Sequence, residues 1–258
     1  MRQPQQVIDQ RRRELAEAIR RERFIPVAEV CRRFGISEAT ARRDLRFLEK
    51  HEQIKRHFGG ALMDFDRDFD SFQQRVRKRE PEKRRIADRC AEFVEDGMTC
   101  FLDAGSAIYY VASALCRRDF ESLAVVTNNI AVAELLGEEP GIHTILSGGR
   151  YFGRQSALLG REAKAHLKDY QFDLCLLGAE AMNERGIWNS DAEIVELQQA
   201  VIEQSKRALF ALDASKWNRT AGEFLCPWLS LDYLVTDLPH AEFAEGGGGL
   251  PAERYLAV

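Results

Sequence analysis

Along roughly the first fifty positions the apolar residues recur at helical spacing, whereas from about position 99 onward they gather into short unbroken runs set between helical stretches. Val7, Ile8, Leu15 and Ile19 share one face of a first amphipathic helix. Pro26 marks a break, Val27 to Phe34 reads as a short second helix, and Gly35 permits the left-handed turn that ends it. Ser37 is placed to cap a third helix running to about Lys50. Two short helices joined by a glycine-containing turn make a helix-turn-helix pattern. Gln53 to Ala61 then reads as a strand, a Gly-Gly turn and a second strand, the outline of a wing.

On a wheel of about 100° per residue the third helix divides cleanly. Ala41, Leu45 and Leu48 face a core, while Ala39, Arg43, Arg46 and Lys50 point the other way, flanked by Thr40 and Arg42. A small residue among hydroxyl and guanidinium groups lets a helix enter the major groove closely. Arginines there reach guanine O6 and N7 or the phosphates. The candidate DNA-binding residues are therefore Ser37, Ala39, Thr40, Arg42, Arg43 and Arg46 on the helix, with Lys55, Arg56 and His57 on the wing. Charge supports the division: residues 1–62 hold 15 Lys+Arg against 9 Asp+Glu, while the whole chain carries a net −4. A basic head on an acidic body suits a polyanion for the head alone.

Residues 63–80 are dense in charge and read as a linker with one helical stretch, Phe69 and Phe72 being available to pack on a neighbour. Helices and apolar strands then alternate. Strands are expected at 99–103, 122–127, 142–147, 172–177, 207–213 and 232–236, with helices at 82–95, 106–116, 129–136, 158–168 and 191–205. Apolar strands between helices indicate a mostly parallel sheet covered on both faces. A last strand is expected at Tyr255–Val258, beyond a flexible Gly246–Gly249 segment. The fold class is thus α/β behind a winged helix-turn-helix: 1–62 the head, 63–80 the linker, 81–258 the second domain.

Small polar and glycine residues follow strand after strand: Asp103, Gly105 and Ser106, then Thr127 and Asn128, then Gly148 and Gly149, then Glu180, then Lys216. In an open parallel sheet these positions converge on one crevice at the carboxyl ends of the strands, where ligands bind. Gly105–Ser106 also opens a helix, whose free N–H groups and dipole suit a phosphate. Lys216 adds a point charge for the anion, and Asp103, Asn128 and Glu180 are suited to sugar hydroxyls.

The stretch GISEATARRDLRFLEKHEQIKRHFGGAL, from Gly35 to Leu62, resembles the DeoR family of regulators, in which an S-x-x-T-x-R-R-D-L helix precedes a wing ending in R-x-x-G-G-A. Ala41 stands where a larger aliphatic is more usual. The resemblance continues through DAGSA, VVTN, LSGG and DASK to about Asp237, matching D-x-G-[ST]-T, V-x-T-N, L-x-G-G and D-x-S-K in order. Ala107 replaces the usual second hydroxyl after Ser106. The resemblance implies a sensor domain with the fold of ribose-phosphate isomerase and a sugar-phosphate or related effector. It also implies a transcriptional regulator, expected to be a repressor, whose grip on double-stranded operator DNA the effector controls.

The rival reading is a sugar-phosphate isomerase with an added DNA-binding head. Isomerases of that fold carry a G-A-D-E acidic pair, where this chain has Gly178–Ala–Glu–Ala181, and a base without a second acid does not move the proton. A non-specific nucleoid-type DNA binder is a third reading, but it needs no sensor-like crevice. No catalytic residue, metal site or cofactor is expected. Six scattered cysteines without a C-x-x-C pair fit a reducing cytoplasm, no apolar run is long enough to span a bilayer, and symmetric half-sites call for a homo-oligomer, a dimer or tetramer.

Overall fold

The computed structural model describes residues 5–22, 24–50, 54–57, 60–63 and 71–258. The chain divides into two compact units, Met1–Phe69 and Asp70–Val258.

In the first unit, helices α1 (Gln5–Glu22), α2 (Val27–Phe34) and α3 (Glu38–Lys50) accompany a three-stranded antiparallel sheet. Its strands are β1 (Phe24–Pro26), β2 (Ile54–His57) and β3 (Gly60–Met63), in the order β1-β3-β2. The β2–β3 pair, with Ile54 opposite Met63 and His57 opposite Gly60, is the expected wing. Strand β1 was not legible beforehand. Three residues are too few for an alternating pattern, and Pro26 can sit in a strand only because β1 is an edge. Leu15, Ile19, Ile25, Val30, Ala41, Leu45 and Leu48 are buried and form the core.

The second unit is built on a seven-stranded sheet, β4 (Thr99–Leu102), β5 (Leu123–Thr127), β6 (Ile142–Leu146), β9 (Leu174–Leu177), β12 (Ala208–Ala211), β14 (Tyr233–Thr236) and β15 (Tyr255–Ala257). Every neighbouring pair in it is parallel. Successive strand residues face opposite ways. Cys100 and Leu102 of β4 therefore join one core with Ile86 of α5 (Glu80–Ala91), Ile108 of α6 (Ser106–Leu115) and Val132 of α7 (Ile130–Leu136). Phe101 joins the other, with Leu167 of α8 (Arg161–Leu167), Val201 of α9 (Ala192–Glu203) and Phe243 of α10 (His240–Glu245).

Strand order is β15-β14-β12-β9-β4-β5-β6. The first strand therefore lies inside the sheet, and the direction of winding reverses between β4 and β9. Such a switch point opens a crevice at the carboxyl ends of the two strands, because the following connections leave to opposite faces.

Three features differ from the sequence expectation. Residues 157–159 form β8, paired with β7 (Arg150–Phe152), and the helix begins only at Arg161, after Gly160 at φ +99°. A small antiparallel sheet, β10 (Ala181–Asn183), β11 (Gly186–Asn189) and β13 (Glu223–Cys226), fills stretches read as loop. The four-glycine run is not a flexible spacer. A Cβ at Gly246 would lie 2.6 Å from the Trp217 ring, and at Gly249 3.4 Å from Trp228, so glycine lets the backbone press on an aromatic cluster. All six cysteines are free, and burial pushes the thiols of Cys100, Cys175 and Cys226 up to about 12, so these three behave as core hydrophobes.

Candidate functional site

Helix α3 begins as its sequence requires. Gly35 takes φ +61°, and the Ser37 Oγ accepts from the Thr40 N–H at 3.3 Å and lies 3.0 Å from the Thr40 hydroxyl. Ala39, Arg43 and Arg46 are exposed, Thr40 is half-buried, and Ala41 is fully buried, so the face assigned by the helical wheel is the face presented. Arg42 is turned along its own helix to Glu38 at 2.6 Å. Among the described residues, neither Arg43 nor Arg46 has an ion-pair partner. The side chains of Lys55, Arg56 and His57 lie outside the described set; their backbones form β2.

One residue of α3 was missed as a functional position. Asp44 is 1% exposed, and its carboxylate accepts from Arg11 Nε and Arg12 Nε of α1, each at 2.8 Å. Arg12 also lies 3.7 Å over the Phe47 ring. This clamp ties α3 to α1. An acid at Asp44, directly beside the apolar positions Ala41, Leu45 and Leu48, was the signal available in the sequence.

In the second unit the candidate residues fall on the carboxyl edge of the parallel sheet. Asp103, Gly105 and Ser106 follow β4, and Gly178 and Glu180 follow β9, at the switch point. The two glycines bring the loops together: a Cβ on Gly105 would meet Gly178 Cα at 3.5 Å. Asp103 is buried, and its Oδ2 accepts from Gln198 Nε2 at 2.6 Å and from the Gly178 N–H at 3.4 Å. Burial pushes the Asp103 carboxyl above the usual range, against hydrogen bonds from Gln198, the Ala104 and Gly178 amides and Asn128. Gln198 also donates to the Gly178 carbonyl at 2.8 Å and accepts from Asn189 at 2.9 Å. It was missed by sequence reasoning, although a Gln on the apolar face of α9, with Ile194, Leu197 and Val201, stands out.

Asn128 is 1% exposed, and its Oδ1 accepts no hydrogen bond among the described residues. A buried acceptor of this kind calls for a donor. Thr127, by contrast, is fully buried with its hydroxyl engaged: it donates to the Leu102 carbonyl at 2.6 Å and accepts from the Asn129 amide at 3.0 Å. Gly148 and Gly149 both adopt positive φ, +70° and +107°, and a Cβ at Gly149 would sit 2.6 Å from the Leu159 carbonyl oxygen. Helix α6 starts at Ser106 with Gly105 as its cap residue and no side-chain cap hydrogen bond.

Lys216 ends a short 3-10 turn, Ala214–Lys216, after β12. Its ammonium is 3.7 Å from Glu180, an ion pair too long for a hydrogen bond. Tyr109 and Tyr110 are packing residues. Tyr109 stacks edge-on against Phe72 at 6.0 Å, and the Tyr110 hydroxyl donates to the Val76 carbonyl at 2.9 Å. Both hold α4 (Phe72–Arg77), whose start is secured by a Ser71–Gln74 capping box. Phe69 lies outside the described residues.

A separate hollow of about 500 Å³ lies between β7, α8 and α9. Its charges pair with one another, Arg150 with Glu193 at 2.8 Å and Lys164 with Glu196 at 3.8 Å, and present no convergent set. Among the described residues no cluster of His, Cys, Asp and Glu is arranged to hold a metal, and no helix is long and apolar enough to cross a membrane.

Two family models match the chain: a DeoR-like helix-turn-helix domain over residues 11–66 and a DeoR C terminal sensor domain over residues 78–238. The glycerol-3-phosphate regulon repressor of Escherichia coli (strain K12) is 29% identical over 231 residues, 89% of this chain and 91% of the repressor. The HTH-type transcriptional repressor GlcR of Bacillus subtilis (strain 168) is 30% identical over 223 residues, 86% of this chain and 85% of that protein. The HTH-type transcriptional regulator GlpR of Haloferax volcanii is 30% identical over 231 residues, 88% of this chain and 89% of that one. Among solved structures, ribose 5-phosphate isomerase A from Methanocaldococcus jannaschii is 16% identical with a TM-score of 0.39, over 54% of each chain.

Proposed function

Because the chain belongs to the DeoR family of transcriptional regulators, we propose that the crevice between β4 and β9 binds a small phosphorylated sugar or polyol that controls the hold of the first unit on operator DNA. The full-length relatives are repressors and regulators, and this chain is a regulator rather than an enzyme. Residues 1–62 are the reading domain, 63–80 the connection and 81–258 the sensor.

The observation that carries the effector reading is the buried, unsatisfied Asn128 Oδ1 beside Asp103 at the switch point. Leaving such an acceptor dry costs about 1–3 kcal/mol, and a ligand hydroxyl relieves it. The phosphate of the same molecule sits on the open N-terminus of α6 at Gly105–Ser106, with Lys216 opposing its charge. Glu180 orients Lys216. Gly148 and Gly149 give the third rim of the crevice a shape that side chains would block. Thr127 acts by holding the end of β5.

Arg43 and Arg46 read bases, Ser37, Thr40 and Arg42 contact the backbone, and Ala39 lets the helix approach. Lys55, Arg56 and His57 lie along the flanking phosphates or minor groove. The active species is a homo-oligomer that pairs two heads on a symmetric operator, it works in the cytoplasm, and effector binding releases the DNA.

The test is a thermal-shift screen of phosphorylated trioses, pentoses and hexoses, with glycerol 3-phosphate included because relatives are named for its regulon. A ligand at 100 times its Kd stabilises the folded state by about 2.7 kcal/mol. The screen should find a phosphorylated compound that raises the melting temperature of the wild type and not of Lys216→Ala. A hit that stabilises both equally, or none that is phosphorylated, would sink the reading.

A further inference from the structure

We propose that Arg79 is the positioning residue that couples the effector crevice to the segment leading out to the DNA-binding unit, an inference that rests on the crevice being the sensor site. Arg79 stands at the corner between α4 and α5 and adopts φ +51°, ψ +41°, the left-handed region that a bulky residue avoids. A non-glycine residue stays there only where its surroundings overdetermine it. The surroundings here are three carboxylates: Glu82, in the first turn of α5, whose Oε1 lies 3.3 Å from Arg79 Nη2, and two at the carboxyl ends of β12 and β14, Asp213 and Asp237. Arg79 Nη2 pairs with Asp237 Oδ2 at 2.6 Å, and Nε faces Asp213 Oδ1 at 3.5 Å.

The two strand-end carboxylates also build the turn that carries Lys216. Asp237 accepts the Ala214 N–H on its other oxygen at 2.6 Å, and Asp213 accepts the Ser215 N–H at 3.0 Å. Asp237 therefore hydrogen-bonds the Lys216 turn and the Arg79 guanidinium at once, while Asp213 holds the turn by a hydrogen bond and faces Arg79 Nε as a charge alone. Any shift of Ala214–Lys216 as Lys216 engages an anion is felt at Arg79. From Arg79 the path to α4 is short. Lys83, one turn into α5 and 4% exposed, donates to the carbonyls of Arg75 and Lys78, the last turn of α4. Helix α4 is the first helix of the second unit, and the chain N-terminal to it runs to the reading domain. A latch that joins crevice and connection through shared carboxylates is what an effector needs in order to bias two states of that connection.

Arg79→Gly separates latch from fold, because glycine accepts the left-handed backbone at no steric cost while the guanidinium disappears. Asp237→Asn is the second variant, keeping an acceptor for Ala214 and removing the nearest of the charges on Arg79. Amide hydrogen exchange is followed in the full-length chain over residues 71–79, with and without inorganic phosphate as probe, and melting is followed in parallel. In both variants without phosphate, amides of α4 should exchange roughly tenfold faster than in the wild type while those of β4 and β9 stay unchanged. Phosphate should alter exchange of α4 in the wild type; in the variants it should still raise the melting temperature but leave α4 unaffected. Wild-type protection of α4 in both variants overturns the latch, whether or not phosphate binds. A phosphate response of α4 that persists in both variants overturns the coupling. Absence of any Lys216-dependent phosphate stabilisation in the wild type counts instead against the sensor reading, and the exchange of α4 without phosphate still decides the latch.

Discussion

Removing the Asp44 carboxylate should strongly destabilise the reading domain without touching the sensor. Asp44 is 1% exposed, and the side chains of Arg11 and Arg12 that meet it are 10% and 13% exposed. In Asp44→Ala two largely buried guanidinium groups lose the carboxylate that both of them pair with. Breaking a buried pair from one side costs about 3–5 kcal/mol, because the partner charge stays buried and uncompensated. A domain of this size has only about 0.05–0.15 kcal/mol per residue to lose, roughly 3–9 kcal/mol for ~60 residues. The Arg12–Phe47 stacking at 3.7 Å softens the loss by about 1 kcal/mol at most. Scanning calorimetry of the full chain is the assay: the transition of the first unit should fall or vanish, that of the second should stay, and DNA binding should go with the first. Replacing the cluster by apolar residues, Asp44→Leu with Arg11→Met and Arg12→Leu, should restore much of the stability. If Asp44→Ala alone melts within about 1 kcal/mol of the wild type, the clamp is not structural and the argument fails.

Three further outcomes follow from the same geometry. Gln198→Leu removes both donors from Asp103 Oδ2 and the Gly178 carbonyl, and should cost about 1–3 kcal/mol in urea denaturation while weakening effector binding; an unchanged midpoint contradicts it. Lys83, brought down to about 8 chiefly by burial from an ordinary 10.5, binds fewer protons folded than unfolded between those values. The wild type should therefore gain stability relative to Lys83→Met as pH rises from about 8 to 10.5, by roughly 3 kcal/mol at most; a difference that stays flat across that window would refute it. Arg43→Ala should lose about 1–3 kcal/mol of operator affinity and flatten preference among sites, and an equal fall on random DNA would make Arg43 a phosphate contact only.

Much of the fold was legible because periodicity and punctuation agreed. Val27–Phe34 and the end of α3 at Lys50 fall where the apolar spacing and Gly35 place them, and the parallel strands stand where continuous apolar runs predict them. Strands held by distant partners were not legible: β1 pairs with β3 across most of the reading domain, and β11 pairs with β13, so neither leaves a local mark. The crevice residues were readable as positions after strands, but their division of labour was not. Which hydroxyl is engaged (Thr127), which amide oxygen is left bare (Asn128) and which glutamine ties the loops together (Gln198) depend on hydrogen bonds between residues far apart in sequence. Arg79 escaped notice because a left-handed arginine looks like any other basic residue of a charged linker.

The central claim is that one crevice on the second unit governs DNA binding by the first. Its most direct measurement is operator release against effector concentration, using DNA selected by the wild-type protein and the compound found by the stabilisation screen. Wild type should release the operator over the range in which the compound stabilises it. Lys216→Ala should bind the operator as tightly as wild type without the compound, and should hold it throughout the titration, because coupling vanishes with the ligand site. A release curve for Lys216→Ala that overlays the wild type would contradict the claim.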